Sequence, residues 1–203
     1  MKLTNVGLVE FVKTKLGTSY VYGMKGTVMS LANFRYLQER YGVKVVWNSD
    51  IKKVGKVCVD CSGLISWYTG RLKGSTQFMV ESDAKPISTI TSAPIGVAVW
   101  RQGHIGVYIG NGEIIEARGS AYGTVRTKVK DRDFTHWFKL NDIEYVEEVD
   151  EVVERDKIIV NGKEYEVDMI RKDGTTYIKT RDIAELLGVE VGSKGRVPIL
   201  ETK

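Results

Sequence analysis

The chain has 203 residues, a formal net charge of +4 and 42% apolar residues, which is enough for packed cores in two domains. No apolar run approaches the ~20 residues of a membrane-spanning helix, so we expect no membrane insertion. Two cysteines in a chain of this length argue against a disulfide framework. The basic residues are scattered and are not interleaved with aromatic ones, which argues against a nucleic-acid partner.

The first residues do not form a secretory signal, because Glu10, Lys13 and Lys15 interrupt any apolar stretch. We therefore expect synthesis in the cytoplasm. Residues 1–150 carry 20 Lys and Arg against 15 Asp and Glu, whereas residues 151–203 carry 10 against 11. A mildly basic first part favours an anionic polymer as partner, although ordinary protein surfaces carry a similar excess.

Three helices are predicted in the first third of the chain. Apolar residues with helical spacing precede Gly17, and a second set lies between Ser30, a predicted N-cap, and Gly42. A third helix is predicted over residues 60–68, with Asp60 as N-cap and Gly70 after its end. Strands are predicted over residues 97–100, 105–109, 114–117, 125–129 and 137–146. The pattern indicates an α+β fold in which helices pack on an antiparallel sheet.

Cys61 is the first candidate for chemistry, because it follows the predicted N-cap of the third helix. Free N–H groups and the helix dipole stabilise a thiolate there and can lower the pKa of a cysteine to about 3.5–7.5. His104 begins a predicted strand and is the candidate base. A cysteine at a helix start and a histidine on a later strand are typical of thiol hydrolases.

Both motifs resemble those of the NlpC-type cell-wall cysteine peptidases, which have a papain-like α+β fold. The strings are Asp-Cys-Ser-Gly-Leu from residue 60 and His-Ile-Gly-Val-Tyr-Ile-Gly-Asn-Gly from residue 104, and the resemblance covers residues 1–148. It implies Cys61 as nucleophile, His104 as base and Glu116 as the residue that orients the histidine. The family usually has a histidine at this third position, but a carboxylate can also accept the imidazole N–H.

The resemblance also implies a set of substrate-binding residues. Tyr20 and Tyr22 lie in the string Ser-Tyr-Val-Tyr-Gly-Met, which keeps the aromatic-glycine pair of the family but lacks its second glycine. Asp60 and Ser62 flank the cysteine. Residues 24–57 lengthen the usual path to the cysteine, and this insertion either walls the cleft or only packs on the surface.

The implied activity is hydrolysis of peptidoglycan at the γ-D-glutamyl–diamino acid bond by a Cys-His-Glu mechanism. A phage lysin that acts on the cell wall after release fits best. Three alternatives stay open on the same fold: an N-acetylmuramoyl-L-alanine amidase, an acyltransferase and a wall-binding protein without activity. No cofactor or metal is expected, because the chain has two histidines and its Cys-x-x-Cys pair lacks a second pair. Cys58 is predicted to be a core residue and His136 a structural one.

The end of the chain is predicted to form a separate part. An acidic linker is expected over residues 149–156, followed by a small α+β domain over residues 157–203. Its strings at 160–163 and 177–188 resemble the bacterial stalk domain, also called the copper amine oxidase N-terminal-like domain. It contains no His, Cys or Trp, so we expect no copper site there. A domain of about 50 residues is near the lower limit for independent folding, so we expect it to attach to the wall or to another copy. The chain is therefore expected to bind peptidoglycan and to be able to form a homo-oligomer.

Overall fold

The computed structural model of the chain describes residues 2–146, 153–172, 175–194 and 197–202. The chain divides into two compact units, Met1–Glu147 and Glu148–Lys203. Both contain helix and antiparallel sheet, so the α+β class is confirmed. In the parts that the structure describes, none of the helices is long and apolar enough to cross a membrane.

In its described residues, the first unit has four α-helices. They are α1 (Asn5–Thr14), α2 (Leu31–Tyr41), α3 (Gly63–Thr69) and α4 (Ser75–Val80). The second helix confirms the prediction, because the Ser30 side chain accepts the N–H of Asn33 at 3.0 Å and Gly42 ends the helix at φ 80°. A positive φ favours glycine at such a position.

The third helix begins later than predicted, at Gly63 instead of Asp60. Residues 60–62 form a turn, and Asp60 Oδ1 accepts the N–H of Gly63 at 2.6 Å. Only glycine fits at this helix start, because a Cβ on Gly63 would lie 2.4 Å from the carbonyl oxygen of Met24. The carboxylate of Asp60 thus accepts a free N–H at the start of the helix, and Cys61 lies in the turn before the helix.

A small sheet precedes this turn. Its strands are β1 (Ser19–Tyr20), β2 (Lys25–Val28) and β3 (Val57–Val59), in the order β1-β3-β2. The chain enters the Cys61 turn directly from β3, so this sheet fixes the position of the turn relative to the loop at residues 22–25. Asp60 N–H also donates to the carbonyl of Met24 at 2.8 Å, which ties the turn to that loop.

The main sheet has six antiparallel strands in the order β4-β9-β5-β6-β7-β8. They are β4 (Lys85–Pro86), β5 (Ala98–Arg101), β6 (His104–Gly110), β7 (Glu113–Gly119), β8 (Gly123–Lys128) and β9 (His136–Phe138). The hairpin between β6 and β7 turns at Asn111 and Gly112, with φ 51° and 72°, as predicted for an Asn-Gly pair.

The strand predicted over residues 137–146 is wrong in length, because β9 ends at Phe138. Beyond it, the hydroxyl of Tyr145 accepts the N–H of Leu140 and donates to the carbonyl of Gly96, each at 3.0 Å. A half-buried side chain here takes the place of strand pairing. Helix α3 packs on the main sheet through a shared core, whose members include Leu8, Val12, Leu64, Ile65, Ile105, Val107, Ile115 and Phe138.

The segment over residues 24–57 has a core of its own. The cluster consists of Val21, Met24, Met29, Phe34, Leu37, Val46 and Cys58. Cys58 is fully buried in it, which confirms the prediction of a core residue. The ammonium of Lys53 donates to Asp50 Oδ1 and the carbonyl of Tyr20 at 2.7 Å and to the carbonyl of Ser120 at 2.9 Å. These bonds fasten the segment to the strands next to the Cys61 turn.

The second unit contains five strands and one helix in its described residues. They are β10 (Glu154–Val160), β11 (Lys163–Lys172), β12 (Thr175–Ile178), α5 (Thr180–Leu187), β13 (Val189–Lys194) and β14 (Val197–Thr202). The hairpin between β10 and β11 turns at Asn161 and Gly162, and their φ of 51° and 77° are typical of an Asn-Gly turn. Helix α5 begins at Thr180. Lys179 is its N-cap residue, and the Lys179 side chain makes no capping hydrogen bond.

The predicted acidic linker extends too far, because Glu154 and Asp156 belong to β10. Both carboxylates pair with Arg171 on the neighbouring strand, so a charged sequence forms a strand through cross-strand ion pairs. Residues 149–152 lie outside the described residues, and so does the Asp-Gly pair at residues 173–174, for which the sequence predicts a turn.

Candidate active site

Cys61 borders a polar cavity of about 390 Å³ in the first unit. The lining comes from residues 22–25, 60–62 and 72–76, together with Tyr41 and Gly103. Cys61 itself is 6% exposed. Tyr41 belongs to α2, so the inserted segment over residues 24–57 supplies part of the cavity wall and does not only pack on the surface.

The resting thiol is neutral, contrary to the expectation of a thiolate. Burial and the adjacent Asp60 carboxylate raise the pKa of Cys61 to about 11, against the lowering effect of backbone hydrogen bonds from Ile105 and Ser62 and of Lys25. The expectation is wrong because the thiol is buried and because the carboxylate of Asp60, not the thiol, accepts the N–H at the start of α3. The thiol lies instead beside the backbone of Ile105, directly after His104, so it needs a base to become a nucleophile.

His104 and Glu116 form a buried pair. His104 Nε2 lies 2.6 Å from Glu116 Oε2, and the two residues are 6% and 0% exposed. The carboxylate accepts the Nε2 proton, which leaves Nδ1 as the nitrogen that can accept a proton from a thiol. The imidazole also stacks on Phe134, with ring centroids 5.8 Å apart and planes 24° apart.

The strands place Glu116 where it can reach the histidine. Val107 pairs with Ile115, so the same register puts Glu116 opposite Gly106. A Cβ on Gly106 would lie 3.2 Å from the Cβ of Glu116. The missing side chain therefore leaves the space through which Glu116 reaches along β6 to His104.

The carboxylate of Glu116 has two more partners. Thr127 Oγ1 donates to Oε1 at 2.7 Å, and Arg132 donates from Nε to Oε1 at 2.7 Å and from Nη2 to Oε2 at 3.1 Å. Burial by itself raises the pKa of Glu116, but hydrogen bonds from His104, Thr127 and Arg132 outweigh it and hold the pKa at about 2. Glu116 is therefore ionised at neutral pH.

Asp60 is held by its own chain. Its oxygens accept from Lys25 Nζ at 2.8 and 3.0 Å, from Gly23 N–H at 3.0 Å and from Ser62 Oγ at 3.1 Å, in addition to Gly63. Lys25 also donates to Ser62 Oγ at 2.6 Å. The side chains of Asp60, Lys25 and Ser62 thus form one network at the edge of the cavity, and Asp60 acts by holding its neighbours.

The two predicted tyrosines lie in different places. Tyr22 is 38% exposed, lines the cavity and meets the edge of Tyr41 at 4.9 Å between ring centroids. Tyr20 packs against the main core, and burial, together with the charge of Asp60, raises the pKa of its hydroxyl. The structure brings Tyr22, Asp60 and Ser62 together at the cavity, whereas Tyr20 does not line it.

Four residues of this region carry no signal in the sequence motifs. Lys25, Tyr41, Thr127 and Arg132 lie on separate elements, and Arg132 belongs to an alternating charged run that is typical of a solvated surface. His136 is partly buried and donates to or accepts from its neighbour Thr135 at 2.9 Å, which agrees with a structural role. Across the described ranges, no three His, Cys, Asp or Glu side chains lie close enough together to form a metal site.

No family model and no curated protein matches the chain. Among solved structures, NlpC2 from Trichomonas vaginalis is 20% identical with a TM-score of 0.45, over 67% of this chain and 46% of that one. The peptidoglycan hydrolase RipB from Mycobacterium tuberculosis is 22% identical with a TM-score of 0.46, over 70% and 67%. The P60 domain of an M. avium subspecies paratuberculosis antigen is 22% identical with a TM-score of 0.45, over 70% and 98%. The chain thus spans less than half of the Trichomonas structure.

Proposed function

We propose that the chain is a cysteine peptidase that hydrolyses an amide bond in the stem peptides of peptidoglycan. The observation that carries the proposal is the buried 2.6 Å contact between His104 and Glu116, beside a cavity that Cys61 lines. A thiol, an imidazole and a carboxylate in this order are the parts of a nucleophilic triad. The motifs around Cys61 and His104, which resemble those of the NlpC-type peptidases, supply the substrate class.

In the proposed reaction, His104 Nδ1 accepts the thiol proton while Sγ of Cys61 bonds to the carbonyl carbon. The imidazolium then gives this proton to the leaving amine as the C–N bond breaks, and a thioester remains on Cys61. A water deprotonated by His104 cleaves the thioester, which releases the carboxylic acid and restores the thiol. Glu116 keeps the proton on Nε2 and stabilises the imidazolium in both steps.

The raised pKa of Cys61 fits this sequence of steps. A thiol with a pKa of about 11 is almost wholly protonated at neutral pH, so its proton leaves for His104 as the substrate reacts. We propose that backbone N–H groups of the turn, including that of Cys61, donate hydrogen bonds to the developing oxyanion. Lys25 and the backbone of Ile105 and Ser62 are the groups that already favour negative charge on the sulfur.

The cavity suits a polar peptide better than a lipid. It is lined by Tyr22 and Tyr41, the Lys25–Asp60 pair, Lys73 and small residues at 74–76. We propose that Tyr22 and Ser62 contact the stem peptide, while Tyr20 and Asp60 hold them in place. Within the peptide, we propose the γ-D-glutamyl–diamino acid bond as the one cleaved, as the motif resemblance implies.

We further propose that the second unit attaches the chain to the wall or to a second copy. Among its described residues, five large apolar side chains are more than half exposed, namely Val153, Ile159, Tyr177, Leu187 and Leu200. Exposed apolar groups of this kind favour contacts with a partner surface. A catalytic unit joined to an attachment unit suits a lysin, which must act on an insoluble wall after release.

Digestion of purified cell walls, followed by mass analysis of the released peptides, tests the function. We expect wild-type protein to release peptides cut after D-glutamate, and Cys61→Ser to release none although it still folds. Cys58→Ala is the matched control, because it removes the other thiol, which lies in a core away from the cavity. Release of peptides by folded Cys61→Ser would overturn the proposal.

A further inference from the structure

The carboxylate of Glu116 meets a guanidinium on the side that does not face the histidine. We propose that Arg132 is a positioning residue, which together with Thr127 holds Glu116 in the orientation and charge state that His104 needs as a base. This inference rests on the proposed function. It names a residue that lies outside both sequence motifs and touches neither the thiol nor the cavity at Cys61.

The first step is orientation. Arg132 binds both oxygens of Glu116, from Nε at 2.7 Å and from Nη2 at 3.1 Å, and Thr127 Oγ1 adds a third bond at 2.7 Å. Oε1 thus accepts from two donors, which leaves Oε2 turned toward His104 Nε2 at 2.6 Å. A planar guanidinium in such a bidentate contact fixes the plane of a carboxylate, whereas an ammonium does not.

The second step is charge. Glu116 is fully buried, and a buried carboxyl group without a cationic partner tends to hold a proton. A protonated Oε2 would donate to His104 Nε2, so the imidazole would have to carry its own proton on Nδ1. In that tautomer, Nδ1 has no lone pair for the thiol of Cys61. An ionised Glu116 therefore selects the tautomer that can act as a base, and Arg132 keeps it ionised.

The third step is rigidity of Arg132 itself. Its side chain is 14% exposed, and its guanidinium lies 5.9 Å from the ring of Phe134, which in turn stacks on His104. Its N–H donates to the carbonyl of Val129 at 3.1 Å, and Val129 N–H donates to Gly112 in the β6–β7 hairpin at 2.9 Å. The turn that carries Arg132 is thus fastened to the hairpin that carries His104 and Glu116.

Few charged groups surround the carboxylate. His104 faces it from β6 and Arg132 from the turn after β8, whereas β8 contributes the neutral Thr127. On the outer side of Arg132, a hollow is lined by further charged residues, namely Glu113, Arg118, Arg126, Lys128 and Asp131. Arg126 pairs with Glu113 at 3.5 Å and is 47% exposed, so it is a matched arginine without contact to Glu116.

The test measures alkylation of Cys61 by iodoacetamide as a function of pH, with the modified cysteine identified by mass spectrometry. We expect Arg132→Gln to move the midpoint of the rate profile to higher pH, because Glu116 takes up a proton and His104 no longer accepts the thiol proton. Arg132→Lys should recover part of the shift, since it restores the charge without the bidentate contact. Arg126→Gln should match wild type.

Turnover of a soluble muropeptide gives a second readout. We expect Arg132→Gln to lower kcat on the order of 10- to 100-fold, the effect of losing a hydrogen bond to a charged group, and to leave KM nearly unchanged. If Arg132→Gln does not fold, Thr127→Val, which removes one donor to the same oxygen, should show a smaller shift in the same direction, and Thr127→Ser should show none.

The outcomes separate this inference from the function on which it rests. Alkylation needs no substrate, so a shifted profile supports the positioning role even if muropeptides are not cleaved, in which case only the proposed function fails. An alkylation profile and kcat that stay at wild-type values in folded Arg132→Gln overturn the inference while muropeptide cleavage stands. A midpoint that moves to lower pH also overturns it, because Arg132 would then act mainly by destabilising the imidazolium and not by keeping Glu116 ionised.

Discussion

Replacing Glu116 by Gln tests how the carboxylate acts on the histidine. The change keeps the shape of the side chain but removes its charge, and the new amide must face donors on both sides. If its oxygen accepts from His104, its NH₂ group points at the N–H groups of Arg132 and the hydroxyl of Thr127. If its oxygen turns toward Arg132, the NH₂ group donates to His104 Nε2 and forces the tautomer that cannot act as a base.

The magnitude follows from these contacts. A hydrogen bond to a charged group contributes about 1.5–3 kcal/mol, so its loss in the transition state lowers kcat by about 10- to 150-fold. The wrong tautomer adds to this, and losses near 10⁴ are known for such a change in a related triad. We therefore expect kcat of Glu116→Gln to fall on the order of 100-fold or more, but less than for His104→Ala.

The assay is turnover of a soluble muropeptide, with kcat and KM measured separately and folding checked by thermal denaturation. KM should change little, because Glu116 is fully buried and does not line the cavity. The melting temperature should fall, because Arg132 loses its buried partner. Wild-type kcat in a folded Glu116→Gln protein would refute the role of Glu116, and the residue that orients His104 would have to be sought elsewhere.

Three further predictions follow from the structure. Lys25→Met should raise the pKa of Cys61 further, because Lys25 lowers it now, and alkylation at pH 8 should slow accordingly. The pKa of Glu116 is lowered from about 4.5 to about 2, so its ionised form stabilises the fold by about 3 kcal/mol above pH 4.5. This stabilisation is lost as the pH falls toward 2. The stability of Glu116→Gln should therefore not show this loss between pH 4.5 and 2. Truncation after Glu147 should preserve turnover of soluble muropeptides and weaken lysis of intact walls, since attachment raises the effective concentration of the first unit. Collapse of soluble turnover in the folded truncated protein would contradict this.

The residues in local motifs were predictable from the sequence, because their signals come from the neighbouring chain. Cys61 lies between a strand and a helix start, and the Asn-Gly turn sets the distance from His104 to Glu116 along one hairpin. The hairpin register then brings the two side chains together. The α+β class follows equally from the periodicity of short helices and alternating strands.

The remaining features depend on contacts between distant parts of the chain. Lys25 reaches Asp60, and Arg132 reaches Glu116, only after separate elements have packed, so no spacing in the sequence indicates either pair. The state of the thiol was mispredicted for the same reason. A helix start normally favours a thiolate, but burial raises the pKa of Cys61, and the Asp60 side chain, which folds back onto Gly63, adds a negative charge beside it.

The most direct measurement of the central claim is the intact mass of the protein during turnover. Wild-type protein mixed with a soluble muropeptide and quenched in acid should carry a thioester adduct with the mass of the acyl part of the substrate, located on the peptide that contains Cys61. Cys61→Ala should carry none and should release no product. Product release without any adduct, persisting in folded Cys61→Ala, would contradict the claim that Cys61 is the nucleophile of a wall peptidase.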